Sequence, residues 1–196
     1  MTGNNALKSL VVETIQSPRT AARRIMDMWL SRDILWTALV ALAAINAIIM
    51  SIGLLMSDTS DIPPFMRSPL ILFFMVGGLQ VLSVHGFYWA GKIIGGHGDM
   101  GELLSLLVWV QVLQAAAQMM TFVLALVLPP LADIFSMVAS VLALWITVNF
   151  IAEALRLPTL LHAVGVMVLG IVGIAFGLAI LIGLIGMGAM GVPVNV

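Results

Sequence analysis

The sequence has no cysteine and few charged residues, and each shortage excludes a class of protein. Without cysteine the chain has no disulfide, no thiolate nucleophile and no cysteine-ligated iron–sulfur or zinc site. Only 9% of the 196 residues are charged and 62% are hydrophobic, whereas soluble domains have about 25% and about 45–50%. A protein of this size cannot bury that surplus of apolar side chains in its own core. The composition therefore predicts an integral membrane protein.

The scarcity of charge also excludes several partners and cofactors. Eight basic and nine acidic residues give a net charge of −1, so there is no basic surface for nucleic acid. No residues show the spacing of a metal site or of a nucleophile with its base. We therefore expect no nucleic acid, no metal, no cofactor and no catalytic residue.

Five apolar segments are each long enough to cross a bilayer, which requires about 20 residues in a helix. The predicted spans are residues 34–56, 70–91, 102–128, 131–153 and 160–186. The predicted fold is therefore all-α: residues 34–196 form a transmembrane bundle of five helices, and residues 1–33 precede it as an amphipathic segment at the membrane surface.

The basic residues predict the orientation of this bundle. Seven of the eight lie on one side: Lys8, Arg19, Arg23, Arg24, Arg32, Lys92 and Arg156. Only Arg67 lies on the other side. Because basic loops stay in the cytoplasm, we expect a cytoplasmic N-terminus and a C-terminus on the opposite face.

The segment before the first span has two amphipathic stretches, separated by Ser17 and Pro18. In the second stretch, apolar residues that include Trp29 lie opposite Arg19, Arg23 and Arg24. We expect these four residues at the membrane surface, where arginines meet anionic head groups. The segment either anchors the topology of the first span or docks a partner.

Five amides lie inside the predicted spans, where polar residues suggest function. They are Asn46, Gln80, Gln111, Gln114 and Gln118. The three glutamines of the third span share one helix face. The amides either bond across helices or line a path for a solute or water. No charged residue lies at mid-depth, which disfavours an ion-coupled carrier but not a passive path.

A second set of polar residues gathers at the cytoplasmic boundary. Its members are His85, Lys92, Glu102, Asn149, Glu153, Arg156 and His162. Glu153 precedes Arg156 by three residues, a spacing that allows a local ion pair. The set either fixes helix ends by interfacial bonds or forms a metal or catalytic site.

Residues 96–101 (GHGDMG) match the G-x-G-x-x-G pattern of dinucleotide-binding loops. That motif requires a preceding strand, whereas here it lies between two membrane helices. We interpret its glycines as a tight turn, followed by a capping box formed by Asp99 and Glu102.

The fifth span is rich in small residues at helical spacing. The predicted packing residues are Gly170, Gly173, Ala175, Gly177 and Ala179. Small residues allow helix backbones to approach closely in a membrane. This helix is therefore predicted to pack against another helix, within the chain or between chains.

Three segments resemble the bacterial branch of the Yip (Ypt-interacting protein) domain family. They are Ser17-Pro18-Arg19, residues 95–104 (GGHGDMGELL) and residues 145–156 (WITVNFIAEALR). The resemblance implies a five-helix membrane domain, in the bacterial inner membrane, that organises other membrane components. Eukaryotic members engage Rab GTPases through a long cytosolic region. Only about thirty residues precede the first span here, so we expect no Rab-type partner.

The sequence is compatible with three functions. The first is a non-enzymatic scaffold, adaptor or accessory subunit, which contacts lipids, other membrane proteins or itself. The second is a passive channel, transporter or lipid-handling protein with a polar lining. The third is an enzyme at the inner leaflet that uses Glu102, Glu153, His85 and His162.

Overall fold

Seven helices make up the described part of the chain, and no strand occurs in it. The computed structural model describes residues 3–56 and 67–189. The helices are α1 (Gly3–Gln16), α2 (Pro18–Met26), α3 (Arg32–Met56), α4 (Pro69–Ile93), α5 (Met100–Val127), α6 (Pro129–Ala154) and α7 (Leu160–Ala189). Helices α3 to α7 are long and apolar enough to cross a membrane. The prediction of an all-α membrane bundle with five spans is confirmed.

The helices begin where the local sequence favours a helix start. Pro18, Pro69 and Pro129 each occupy the first turn of a helix, where proline's missing amide proton costs nothing. Asp99 and Glu102 form the expected capping box at the start of α5. These local signals explain why the observed ends lie close to the predicted ones.

The five long helices form a closed ring in the order α3, α4, α7, α6, α5. Each packs against its two neighbours, and the contact between α5 and α6 is the most extensive. Helices α3, α5 and α7 begin, and α4 and α6 end, at the same end of the ring. We call it the charged end because Arg32, Lys92, Asp99, Glu102 and Arg156 lie there. The helix halves remote from it are called the far half.

The core lies in the half of the ring next to the charged end. Its fully buried side chains include Leu103, Leu104, Leu106, Phe150, Ile151 and Leu155. In the far half, Val127 of α5 and Met137 of α6 are exposed. At most 28% of the most apolar stretch of any span is buried. The helices are thus tightly packed at the charged end and leave most of their far-half surface open.

The two N-terminal helices pack against the bundle. Helix α2 contacts α5 and α6, with Ala21, Ala22 and Ile25 buried in the contact. Helix α1 contacts α6, and its buried Thr14 accepts a hydrogen bond of 3.0 Å from the indole Nε1 of Trp109 in α5. The apolar face of the N-terminal segment therefore covers part of the chain's own bundle.

Candidate functional site

Ion pairs at the charged end join different helices. Arg23 of α2 pairs with Glu153 of α6, and Arg156 after α6 pairs with Glu102 of α5 at 3.0 Å. Two further pairs are Arg24–Glu13 at 2.8 Å and Arg32–Asp99 at 3.6 Å. The pKa of Arg23 is raised, chiefly by its hydrogen bond to the Glu153 carboxylate and secondly by the negative charge of that carboxylate. The local Glu153–Arg156 pair suggested by their spacing is wrong, because each side chain bonds to another helix.

The glycines between α4 and α5 form a tight turn whose backbone is hydrogen-bonded to the ends of α4 and α6. Gly95 adopts a φ of +95°. The amides of Gly96 and His97 donate to the carbonyls of Gly91 and Leu155 at 2.7 and 3.0 Å. Two amides that a phosphate would need are thus already bonded within the chain, which agrees with a tight turn.

The remaining predicted boundary residues make separate local bonds. His85 Nδ1 lies 2.8 Å from the carbonyl of Val81, and His162 Nδ1 lies 2.7 Å from Thr159 Oγ1. Asn149 donates to the carbonyl of Trp145, and Lys92 donates to that of Gly98. Within residues 3–56 and 67–189, no three His, Asp or Glu side chains are placed to hold a metal ion. His85 and Asn149 thus bond to carbonyls of their own helices, Lys92 bonds to the turn after α4, and His162 bonds to the residue before α7.

The predicted membrane-surface residues lie at the outer edge of this end. Arg19 is exposed, while Arg23 and Arg24 are held in their ion pairs. Trp29 is 88% exposed and has a φ of +48°, in the linker between α2 and α3. Arg23, Arg32, Arg156 and Trp29 border a surface cavity of about 500 Å³. The sequence did not predict the Arg32–Asp99 contact there, because the two residues are far apart in sequence and share no motif.

Four of the five predicted intramembrane amides line one cavity between α3, α4 and α5, which we call the amide chamber. It contains Asn46, Gln80, Gln111 and Gln118 and has a volume of about 370 Å³. Ser83 of α4 also lines it and was not predicted, because serine in a helix commonly bonds to its own backbone. The ring therefore brings Asn46 and Gln118, which lie 72 positions apart in sequence, to the same cavity.

Two amides of this chamber carry polar atoms with no partner. Gln80 is 5% exposed, and neither its Nε2 nor its Oε1 makes a hydrogen bond in the described structure. Asn46 is 7% exposed; its Nδ2 donates to the carbonyl of Leu42, but its Oδ1 has no partner. An unbonded buried polar group costs about 1–3 kcal/mol. These three atoms have almost no accessible surface, so they are enclosed by the chain and do not open into the chamber.

Depth along the helices places the chamber about midway between the two ends of the bundle. Ser83 lies ten residues before the end of α4, and Gln118 lies eighteen residues after the start of α5. At a rise of 1.5 Å per residue these positions are about 15 and 27 Å from the charged end. Between the chamber and that end lie the buried Val84, Leu104 and Leu107. These three side chains lie closer to the charged end than the chamber does.

Gln114 lies outside the amide chamber. It lines a separate groove of about 390 Å³ between α5 and α6, with Thr121, Ser140 and Thr147. These three hydroxyls donate to carbonyls four residues earlier in their own helices, at 2.7–2.9 Å. The three hydroxyl groups of this groove are therefore hydrogen-bonded within the chain, unlike the amides of Gln80 and Asn46. Gln118 lines both spaces.

The small residues of α7 fall into two groups. A Cβ added to Gly170 would lie 2.5 Å from Phe87 Cδ1, so this glycine is at the crossing with α4. A Cβ added to Gly173 or Gly177 would have nothing within 4 Å. Ala175 and Ala179 are also exposed. Helix α7 therefore packs closely against α4 at Gly170, whereas its surface at Gly173, one turn later, contacts no other part of the described chain.

The Yip1 domain model matches residues 12–182, which include the end of α1, all of α2 to α6 and most of α7. The chain belongs to the Yip1 domain family. The suggested Yip resemblance is thereby confirmed. No curated protein and no solved structure matches it. This Yip1-family chain is a multi-pass membrane protein, and its apolar helices fit a membrane-associated, non-enzymatic role.

Proposed function

We propose that this Yip1-family chain acts by helix–helix association, as a scaffold, adaptor or accessory subunit of a membrane complex. The observation that carries the proposal is the open surface at Gly173 and Gly177, one turn beyond the filled crossing at Gly170. Glycines that serve only the chain's own packing would have neighbours, whereas an open small-residue face permits close approach by another helix. The partner is a second copy or another membrane protein, with lipids around it.

The ionisable residues support a role without catalysis. Glu102 and Glu153 are held in ion pairs with arginines, while His85 and His162 bond to groups within four residues of themselves. A catalytic centre needs a nucleophile and base, or an acid and base, that converge on one point. Each of these four residues has a different partner, and the four do not form one cluster.

Replacing both Gly173 and Gly177 with leucine is expected to abolish association without unfolding the monomer. The leucines fill open space in the chain but block the approach of a partner backbone. Extraction in mild detergent, size separation and mass spectrometry of co-purifying chains measure the effect. Gly78→Leu is the matched control, since a Cβ at Gly78 also has nothing within 4 Å. Unchanged recovery of the oligomer or partner from the double variant would contradict the proposal.

We also propose that the protein lies in a bacterial inner membrane with its charged end in the cytoplasm and its C-terminus in the periplasm. The contacts of α1 and α2 with α5 and α6 support this orientation, because they put the basic N-terminal segment at the same end of the ring as Lys92 and Arg156. Positive residues are retained on the cytoplasmic side. A Rab-type GTPase is not among the proposed partners.

Single cysteines are expected to report this orientation clearly, because the natural chain has none. His97→Cys, at the charged end, should be protected from a membrane-impermeant maleimide in intact spheroplasts and labelled after lysis. Leu128→Cys, between α5 and α6 at the opposite end, should be labelled before lysis. The reverse pattern would overturn the proposed orientation.

A second candidate function is the handling of a lipid or a small polar solute. The polar side chains that line the amide chamber, among them Ser83, Gln111 and Gln118, favour it. The buried side chains that lie closer to the charged end than the chamber favour binding over passage through a continuous pore.

A further inference from the structure

We propose that a groove between α1, α5 and α6 binds an acyl chain of an anionic phospholipid from the leaflet nearer the charged end. This cavity, which we call the α1 groove, has a volume of about 370 Å³. The inference goes beyond the proposed helix association and depends on neither the open face of α7 nor the amide chamber. It rests on the apolar lining of the groove, on its depth and on the position of α1.

The lining of the α1 groove is almost wholly apolar. Of its fourteen lining residues, Gln114 alone is polar. An apolar cavity excludes water, and its walls lose dispersion contacts if it stays empty. Met120 and Val138 line it and are about half exposed, so the groove opens toward the surrounding bilayer. The occupant that suits this lining is therefore a hydrocarbon, which the bilayer supplies as acyl chains.

Two tryptophans mark the depth of the groove. Trp109 lies nine residues after the start of α5, and Trp145 lies nine residues before the end of α6. Tryptophan is enriched where a membrane meets water. On α5 the lining extends from Val110 to Met120, which is about 1.5–16 Å beyond Trp109 at 1.5 Å per residue. One leaflet of a hydrocarbon core has a similar depth, about 15 Å. The groove thus spans the acyl region of the leaflet nearer the charged end.

Helix α1 lies across the end of the groove that is nearer the charged end. Val11 and Ile15 line the groove there, and the buried Thr14 between them is bonded to Trp109 at 3.0 Å. A partner's transmembrane helix is about 10–12 Å wide and must continue to the membrane surface, where α1 would obstruct it. An acyl chain is narrower and ends inside the bilayer. The position of α1 therefore favours a lipid chain over a helix as the occupant.

Lys8 supplies the preference for an anionic head group. It precedes Val11 by three residues and Ile15 by seven, so it shares their face of α1. Its side chain is exposed and belongs to none of the four ion pairs of the described chain. Glu13, the acidic residue of α1, is paired with Arg24. One basic residue near a membrane surface corresponds to about a fivefold preference for an anionic lipid.

The proposal is tested by photo-crosslinking of the full chain in phosphatidylcholine nanodiscs. The probe is a phosphatidylglycerol with a diazirine in one acyl chain, and the comparison probe is a phosphatidylcholine with the same chain. We expect the phosphatidylglycerol probe to label residues 110–120 and 135–146 about fivefold more than the comparison probe. Ile171 and Val172 are exposed on α7 and report contact with bulk lipid, so the two probes should label them equally.

Filling the groove is expected to remove this labelling. Ala116 lines the groove and is exposed, so Ala116→Phe places a ring there without disturbing the core. Labelling of residues 110–120 should fall to the level found at Ile171 and Val172. Val112→Phe is the matched control, because Val112 is exposed on the same helix and does not line the groove. Its labelling should stay at the wild-type level.

Removing the basic residue is expected to change the choice of lipid and not the occupancy. Lys8→Gln should abolish the fivefold preference for phosphatidylglycerol while residues 110–120 stay labelled. Arg19→Gln removes the same charge from α2, which does not line the groove, and should leave the preference unchanged.

Four results would overturn the proposal. They are equal labelling of the groove and of α7 in wild-type protein, labelling of the groove that Ala116→Phe leaves unchanged, a lipid preference that Lys8→Gln leaves unchanged, and a cross-link from a photoreactive residue at Met120 to a protein chain in native membranes. If Ala116→Phe does not fold, competition by unlabelled phosphatidylglycerol on wild-type protein decides. Because recovery of a partner chain is measured separately, failure here leaves the test of helix association intact.

Discussion

Gly98→Ala is expected to prevent the protein from reaching its folded state. A Cβ at Gly98 would overlap the carbonyl oxygen of Ala154 and approach Cα of Leu155, where the turn between α4 and α5 meets the end of α6. Both obstacles are backbone atoms, which cannot rotate away as a side chain does. Overpacking against movable side chains costs about 1–3 kcal/mol, so we expect a loss of more than about 3 kcal/mol here.

The measurement is the yield of monodisperse protein after mild extraction, together with its thermal unfolding midpoint. Gly78→Ala is the matched control, because the added methyl group meets nothing within 4 Å in the middle of α4. Alanine is favoured over glycine in a helix by about 1 kcal/mol, so this control should be neutral or stabilising. A Gly98→Ala protein with the wild-type midpoint would show that the turn does not pack against α6 in this way.

Gly170→Leu is expected to separate α7 from α4. The crossing of these helices has little space: a Cβ at Gly170 lies 2.5 Å from a ring carbon of Phe87, and a Cβ at Gly86 lies 3.0 Å from Ile174. A leucine must displace the buried Phe87 ring or push the helices apart, at a cost of about 1–3 kcal/mol or more. The thermal unfolding midpoint should fall, and the expected readout is this midpoint in detergent.

Gly173→Leu is the sharpest comparison, because it makes the same change in the same helix one turn later. Its added atoms enter open space, so the effect on stability should stay within about 0.5 kcal/mol. Equal losses from Gly170→Leu and Gly173→Leu would mean that α7 packs in a different rotation. Unequal losses, together with lost association in the Gly173→Leu, Gly177→Leu double variant, would separate the internal face of α7 from its partner face.

Helix position was largely predictable because its signals are local. The predicted span of residues 70–91 corresponds to α4 at Pro69–Ile93, and residues 131–153 correspond to α6 at Pro129–Ala154. A long apolar run must form a helix to satisfy its backbone groups in lipid, and proline or a capping box marks where it begins. The fifth span begins at the predicted residue, Leu160, and α7 continues three residues past the predicted end at residue 186, to Ala189. The far C-terminal positions, 190–196, lie outside the described residues.

The candidate sites were only partly predictable. The amides of the spans could be recognised individually, since polar residues in an apolar run are conspicuous, but their grouping could not. Helical spacing put Gln111, Gln114 and Gln118 on one face, yet Gln114 faces α6 while Gln111 faces the amide chamber. The partner of Arg156 was likewise assigned to a neighbour in sequence and lies instead on α5.

The sequence by itself determined that the chain is an all-helical membrane protein, because composition, span length and helix-start residues act locally. Only the tertiary structure decided which amides share a chamber, which arginine meets which carboxylate and which glycines of α7 are covered. The physical reason is that a membrane helix is apolar on every side: the faces toward lipid and toward other helices bear the same residue types. Its rotation about its own axis is therefore set by contacts with neighbouring helices, which a hydrophobic pattern along one segment does not specify.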